Sequence, residues 1–145
     1  MGKKKNDVLT PESCEMFLSK DYVAMEVGET FDKALTRYLN DVKNNSGLNQ
    51  SKISMITGIG NPAISKLKSA KIKPTLAMII LLSLAMRLTP DRSEHLLHTA
   101  GFYLTDNEEH RIYRYFLYGC AFNADFNIQN CDKVLAEKKF TKLSV

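Results

Sequence analysis

The side chains best suited to chemistry lie in one stretch, residues 50 to 74, where two short helix-like segments flank a glycine-containing turn. The first segment is predicted to form a helix that begins near Gln50 and ends at Thr57, and Gly58 suits the positive φ of a turn. Asn61-Pro62 favours the start of a second helix, which is predicted to end near residue 69.

Amide and ammonium groups on the outward face of this second helix have the chemistry needed to contact nucleic acid. Asn61 is placed to read an adenine edge and Lys66 a guanine edge, each such pair being worth about 1 to 3 kcal/mol when well formed. Ala63 is placed to touch a thymine methyl, and Gln50 at a helix N-terminus is placed to reach a phosphate. The predicted DNA-binding residues are Gln50, Lys52, Asn61, Ala63, Ser65, Lys66, Lys68, Lys71 and Lys73.

Positive charge is concentrated in the same part of the chain. Residues 42 to 90 contain no Asp or Glu and carry a formal charge of +7, although the whole chain carries only +4. Lysines next to a duplex neutralise phosphates and release about 0.9 counterion per phosphate, whatever the base sequence. An acid-free surface therefore favours an anionic partner, and DNA is the expected one.

The pattern from Phe31 to Leu88 resembles the Cro/repressor (XRE-type) helix-turn-helix family. That family places Gln at the start of helix two, a small residue four positions on, Gly at the turn, and Ile and Leu in helix three. The matching residues here are Gln50, Ser54, Gly58, Ile64 and Leu67. The resemblance implies that the first helix of the pair crosses the phosphate backbone and the second enters the major groove. The residues predicted to pack the pair together are Ile53, Ile56, Ile59, Ile64 and Leu67.

The chain departs from this family at two points. Ala70 stands where the family usually ends helix three with Gly, so the helix is expected to end differently or to run longer. The base-reading positions also lack the Arg and Gln of strong operator binders. The electrostatic part of the interaction is therefore expected to exceed the sequence-reading part.

Local start and stop signals predict further helices on both sides of this stretch. The predicted segments are Pro11 to Lys20, Thr30 to Asn44, Pro74-Thr75 to Met86, Thr89-Pro90 to Gly101, a Thr105–Glu108 capping box to Gly119, and Asn127 to Lys138. They describe an all-α, compact helical bundle. Residues 1–28 are expected to form a partly flexible arm with a short helix, 29–88 the DNA-binding core, and 89–145 a helical extension packed on that core.

Other chemistry is possible on paper but has weaker support. His95 and His98 with Cys120 or Cys131 lack the spacing of a known metal site, and no phosphate loop or glycine-rich turn accompanies Cys120 to make it a nucleophile. Neither an enzyme nor a metal or other cofactor is therefore expected. Five aromatic side chains crowd one short segment, which suits either a core or a homodimer interface through this C-terminal helix. They are Tyr113, Tyr115, Phe116, Tyr118 and Phe122.

Composition sets the remaining limits. At 145 residues the chain fits one domain, and its three cysteines form no CxxC pair, so reduced cytoplasmic thiols are expected. The longest apolar run, residues 76 to 88, is shorter than the roughly 20 residues that span a bilayer. The resemblance to the Cro/repressor family, together with the charge pattern, implies a sequence-specific or semi-specific DNA-binding transcriptional regulator of bacterial or phage type, which is expected to act as a homodimer. The alternative is a protein-interaction module that uses the same helices without DNA.

Overall fold

The computed structural model describes residues 28–123 and 125–144, in which all regular secondary structure is α-helical. The helices are α1 (Phe31–Ser46), α2 (Gln50–Thr57), α3 (Asn61–Lys68), α4 (Leu76–Met86), α5 (Pro90–Thr99), α6 (Glu108–Phe122) and α7 (Ile128–Glu137). The all-α prediction is confirmed over these residues. The helix predicted from Pro11 to Lys20 lies outside them.

Capping side chains explain why four of these helices start where they do. Asn49, Thr75, Asn107 and Asn127 have extended backbones, and each side chain accepts a hydrogen bond from the backbone N–H three residues on. Such a cap satisfies one of the donors that the first turn of a helix leaves unpaired, and its loss costs about 1 kcal/mol. The predicted starts of α2, α4 and α7 are confirmed, whereas the start of α6 is corrected below.

The core is centred on α4, whose residues 79 to 86 are all buried. A helix that is apolar on every side must be surrounded by other helices, and α4 packs against α1, α2, α5, α6 and α7. The apolar residues of α1 recur at spacings of three and four, which predicts one buried stripe, and Leu35 and Tyr38 on this stripe are almost fully buried against the core. α2 and α3 are thereby held against a rigid support.

The connection between α2 and α3 is short and internally hydrogen-bonded. Gly58 adopts φ +78 at the end of α2, and Ile59 inserts into the core at 3% exposure. Ser54 Oγ donates to the Ile59 carbonyl at 2.6 Å, while Thr57 Oγ1 donates to the Ile53 carbonyl and accepts from the Ile59 N–H. These bonds fix the angle between the two helices.

The prediction that Ile56 points inward is wrong. In a helix of eight residues, the inward partner of Ile53 can lie three positions on, at Ile56, or four positions on, at Thr57. In the structure it is Thr57 that is buried together with Ile53. Ile56 is 44% exposed and Met55 is 83% exposed. Both line a groove of about 330 Å³ whose floor includes Phe126.

Two further boundaries also differ from prediction. The predicted capping box starting at Thr105 is wrong, because Asn107 is the cap and α6 begins at Glu108. The backbone N–H of Thr105 instead donates to His110 Nδ1 at 2.9 Å. The helix then continues through Gly119 to Phe122 instead of ending at the glycine. A Cβ at position 119 would lie 2.8 Å from the Phe126 ring, so this glycine permits close packing and does not stop the helix.

Candidate nucleic-acid interface

Gln50, the first residue of α2, joins the N-terminal turns of α2 and α3. Its Nε2 donates to Ser65 Oγ at 3.1 Å, to Asn61 Oδ1 at 3.3 Å and to the Asn61 carbonyl at 3.4 Å. Its Oε1 accepts from Lys68 Nζ at 3.0 Å. The structure therefore brings together four of the predicted site residues, and it does so through hydrogen bonds among themselves.

Asn61 does not cap α3 as the sequence predicts. Gly60 occupies the cap position without a side-chain bond, and Asn61 and Pro62 form the first turn. The Asn61 amide is used on both sides, because Oδ1 accepts from Gln50 and Nδ2 donates to Ser51 Oγ at 3.5 Å. Asn61 lies on the exposed face where it was predicted, but its amide is engaged with α2.

Other predicted base readers differ in exposure. Ser65 and Lys66 are exposed on the outer face of α3, whereas Ala63 is half-buried and packs against the hydrophobic core. Ile64 and Leu67, on the opposite face, are fully buried. Ala63 thus contributes to holding α3 in place, and its methyl is only partly available to a ligand.

The lysines form an exposed basic surface around this helix pair. Lys52, Lys66, Lys71 and Lys73 are exposed, and Lys68 is half-buried beside Gln50. Among the described residues, the salt bridges are Glu29–Arg37, Asp41–Arg92, Glu29–His95 and Asp106–Arg111, and none involves a lysine. The positive charge of the surface is therefore not neutralised by a neighbouring carboxylate in this part of the chain.

The end of α3 places two of these lysines. The helix ends at Lys68, Ser69 is the cap, and Ala70 adopts φ +61, the left-handed conformation that glycine normally supplies. The Lys71 N–H then donates back to the Lys66 carbonyl at 2.9 Å. Two outcomes were expected from Ala70, a different helix end or a longer helix, and the longer helix is wrong. The chain turns at this non-glycine residue, and residues 71 to 73 that follow are exposed.

A recess of about 260 Å³ lies at the N-terminus of α2. Lys43 and Lys68 line it together with the first residues of the helix, Asn49, Gln50 and Ser51. Helix N-termini carry partial positive charge and N–H donors, so the two ammonium groups and the helix end favour an anion of phosphate size. The sequence pattern does not assign Lys43 to the interface; its position in the last turn of α1, within the acid-free segment, is the signal that points to it.

The thiols and histidines show no comparable arrangement. Cys120 and Cys131 are buried, which raises the pKa of both thiols, to about 12 for Cys131. A thiol with a raised pKa is protonated at neutral pH and is a poor nucleophile. Over residues 28–123 and 125–144 no group of three or more His, Cys, Asp or Glu is arranged to hold a metal ion.

His95 belongs to a structural cluster that fixes α1 to α5. Glu29, just before α1, accepts hydrogen bonds from Arg37 Nε at 2.8 Å and Nη2 at 2.7 Å, and its carboxylate lies 2.9 Å from His95 Nε2. The Arg37 hydrogen bond, together with that of His95, lowers the pKa of Glu29 to about 2 against the opposing effect of burial. His98 is exposed instead and stacks on Tyr103 at 4.5 Å between ring centroids.

The aromatic helix α6 divides into a buried and an exposed face. Tyr113 and Phe116 are buried, and Phe122 is half-buried. Tyr115 and Tyr118 are 59% and 44% exposed. The buried members therefore belong to the core, and a homodimer interface through this helix stays a prediction.

In the described part of the chain, none of the helices has the length and apolar character to span a bilayer. In comparisons with known proteins, the chain matched no protein-family model, no curated protein and no solved structure.

Proposed function

We propose that α2 and α3 form a helix-turn-helix of the Cro/repressor type that binds duplex DNA, and that the protein regulates transcription. The observation that carries this proposal is the exposed basic surface, because it surrounds α3 and the N-terminus of α2, where a helix-turn-helix meets DNA. Lys52, Lys66, Lys71 and Lys73 supply the charge, and the recess beside Lys43 supplies a phosphate seat.

The mechanism follows from the orientation of the two helices. α3 presents Lys66 and the exposed first turn to the major groove, while the N-terminus of α2 meets a backbone phosphate between Lys43 and Lys68. A single module of this size binds weakly, and a homodimer that places two modules about one helical turn apart on the duplex strengthens the complex. The exposed Tyr115 and Tyr118 on α6 are the proposed dimer contact.

Charge reversal on the proposed surface tests DNA binding directly. Lys66→Glu with Lys71→Glu removes two phosphate contacts from each protomer, so the salt slope of the binding constant should fall by about 1.8 per protomer bound, and affinity at low salt should fall by at least about tenfold. The measurement is fluorescence anisotropy of a labelled 30-base-pair duplex over a range of salt concentrations.

A matched control keeps the net charge of the test variant. Lys133→Glu on α7 with Lys138→Glu at the C-cap of that helix makes the same charge change at exposed positions outside the proposed surface. This control should retain most of the affinity and the full slope. Equal losses in both variants would show that only net charge matters, and unchanged binding in the Lys66 and Lys71 variant would refute the proposal.

A protein-interaction module is the second candidate function. The exposed Met55 and Ile56, at the mouth of the groove that also includes Phe126, favour it. Failure to bind any duplex at low salt, with fixed-stoichiometry binding of one protein partner, would support this function over DNA binding. The Met55→Glu variant should then abolish partner binding.

A further inference from the structure

We infer, on the basis of the proposed DNA binding, that the interface recognises duplex DNA through its phosphates and discriminates between base sequences by less than about tenfold. Sequence-specific proteins usually bind their sites about 10³ to 10⁷ times more tightly than other DNA. The difference comes from side chains that meet base edges, and the structure shows how those side chains are used here.

Gln50 has little free hydrogen-bonding capacity. Its amide nitrogen is directed at Asn61 and Ser65, and its amide oxygen accepts from Lys68. A glutamine that reads adenine must offer both amide groups to one base. Gln50 would have to release its contacts with α3 before it could do so.

Asn61 is committed in the same way. Its Oδ1 accepts from Gln50 Nε2, and its Nδ2 points to Ser51 Oγ. Bidentate adenine recognition would need both atoms at once. Each of the two atoms keeps one lone pair or one N–H, so an adenine edge would have to share the amide with Gln50 and Ser51 and meet it in the orientation that these two bonds set.

The remaining positions on α3 offer few alternatives. Pro62 has no donor, Ala63 is half-buried, and Ser69 Oγ donates to the Ser65 carbonyl at 3.1 Å. Ser65 Oγ accepts from Gln50 and offers a base only its single hydroxyl proton, which leaves Lys66 as the long exposed donor on this face. Lysine is a flexible point donor that suits a guanine edge or a phosphate, and one such base contact, at the low end of the roughly 1 to 3 kcal/mol of a well-formed pair, corresponds to about tenfold discrimination.

The lysines, in contrast, are placed for backbone contact. Lys52, Lys66, Lys71 and Lys73 are exposed on or beside the helix pair, and none makes a salt bridge within residues 28–123 and 125–144. Four to five phosphate contacts per protomer predict a salt slope of about −4 for each protomer bound. Binding should therefore be tight at low salt, weak at high salt, and nearly independent of sequence.

The test combines selection with a direct affinity ratio. A duplex pool with a randomised 16-base-pair centre is incubated with the full chain at low salt, bound DNA is recovered over several rounds, and the enriched sequences are compared with the starting pool. The expected result is that the best recovered sequence binds less than about tenfold more tightly than the unselected pool, with a salt slope of about −4 per protomer bound.

Two variants locate the readout. Asn61→Ala should change the affinity for every duplex by less than about threefold, whereas loss of a base reader lowers affinity for the preferred sequence by about 5- to 150-fold. Lys66→Ala should weaken binding to all sequences alike and reduce the slope by about one. Circular dichroism of both variants establishes that they are folded.

The outcomes separate this inference from the function on which it rests. A recovered motif that binds 100-fold or more above the pool, with an Asn61→Ala loss confined to that motif, would overturn the inference and leave DNA binding intact. Absence of binding to any duplex at low salt would overturn the proposed function, and the inference with it.

Discussion

The carboxylate of Glu29 provides a quantitative test of the fold, because its hydrogen bonds lower its pKa and thereby make stability depend on pH. The side chain is 3% exposed and accepts from Arg37 and His95 at 2.7 to 2.9 Å. Lowering a carboxyl pKa from 4.5 to about 2 corresponds to about 3 kcal/mol of folding free energy. Arg37 is itself partly exposed, so solvent screening reduces the expected contribution to about 2 kcal/mol.

The sign of the pH dependence follows from the direction of this shift. Because the folded-state pKa is the lower one, the contribution is complete above about pH 4.5 and is lost as the pH falls towards 2. Glu29→Gln removes the charge and should lower the free energy of unfolding by about 2 kcal/mol at pH 7. At pH 3 the difference between wild type and variant should shrink to less than about 1 kcal/mol.

Urea unfolding followed by circular dichroism at the two pH values measures both differences. Asp106→Asn is the control, because it breaks an ion pair with Arg111 whose side chains are 64% and 91% exposed, and it should cost less than about 0.5 kcal/mol at either pH. If the Glu29→Gln difference were the same at pH 3 and pH 7, the paired carboxylate would not be the origin of the effect.

Three further predictions follow from local geometry. Ala70→Gly should raise the free energy of unfolding by about 1 kcal/mol in urea denaturation, because Ala70 holds a left-handed φ of +61; a loss of stability would contradict this. In a Cys14→Ser background, Cys120 and Cys131 should react with a thiol reagent at pH 8 only after urea is added, because both are buried with a raised pKa; fast reaction of the folded protein would refute it. Ile56→Ala should cost less than about 1 kcal/mol, since Ile56 is 44% exposed, against about 2 to 5 kcal/mol for a fully buried aliphatic residue; a larger thermal or urea destabilisation would show that Ile56 belongs to the core.

Most helix boundaries were predictable because their causes are local. A cap such as Asn127 acts on the N–H three residues further on, and the stripe on α1 depends only on spacing of three and four residues. α4 was recognisable from its apolar content alone. These features need no knowledge of how distant segments pack, so a single sequence is sufficient to identify them.

The errors occurred where a distant contact decides between local alternatives. Gly119 is read as a stop signal, yet the Phe126 ring occupies the space where its Cβ would be. Ile56 and Thr57 both fit an inward position, and the bond between Thr57 and the Ile59 N–H selects Thr57. The start of α6 is a different kind of error, because Thr105 and Asn107 are both good caps and only the backbone conformation distinguishes them.

The difference between local causes and contacts between distant residues also explains why the candidate interface was only partly predictable. Charge acts over roughly a Debye length of 8 to 10 Å, so 49 consecutive residues without an acid give a positive surface in almost any arrangement of the helices. Base reading instead depends on hydrogen-bond geometry within tenths of an ångström. Gln50 meets Ser65 and Lys68, which are 15 and 18 residues away in sequence, and no local pattern shows that these partners are close enough to compete with a base. The sequence therefore predicts the charge of this surface more reliably than its selectivity between base sequences. Because Gln50 forms hydrogen bonds with Asn61, Ser65 and Lys68, the outward polar residues of α3 are a poor guide to the bases that the protein would prefer.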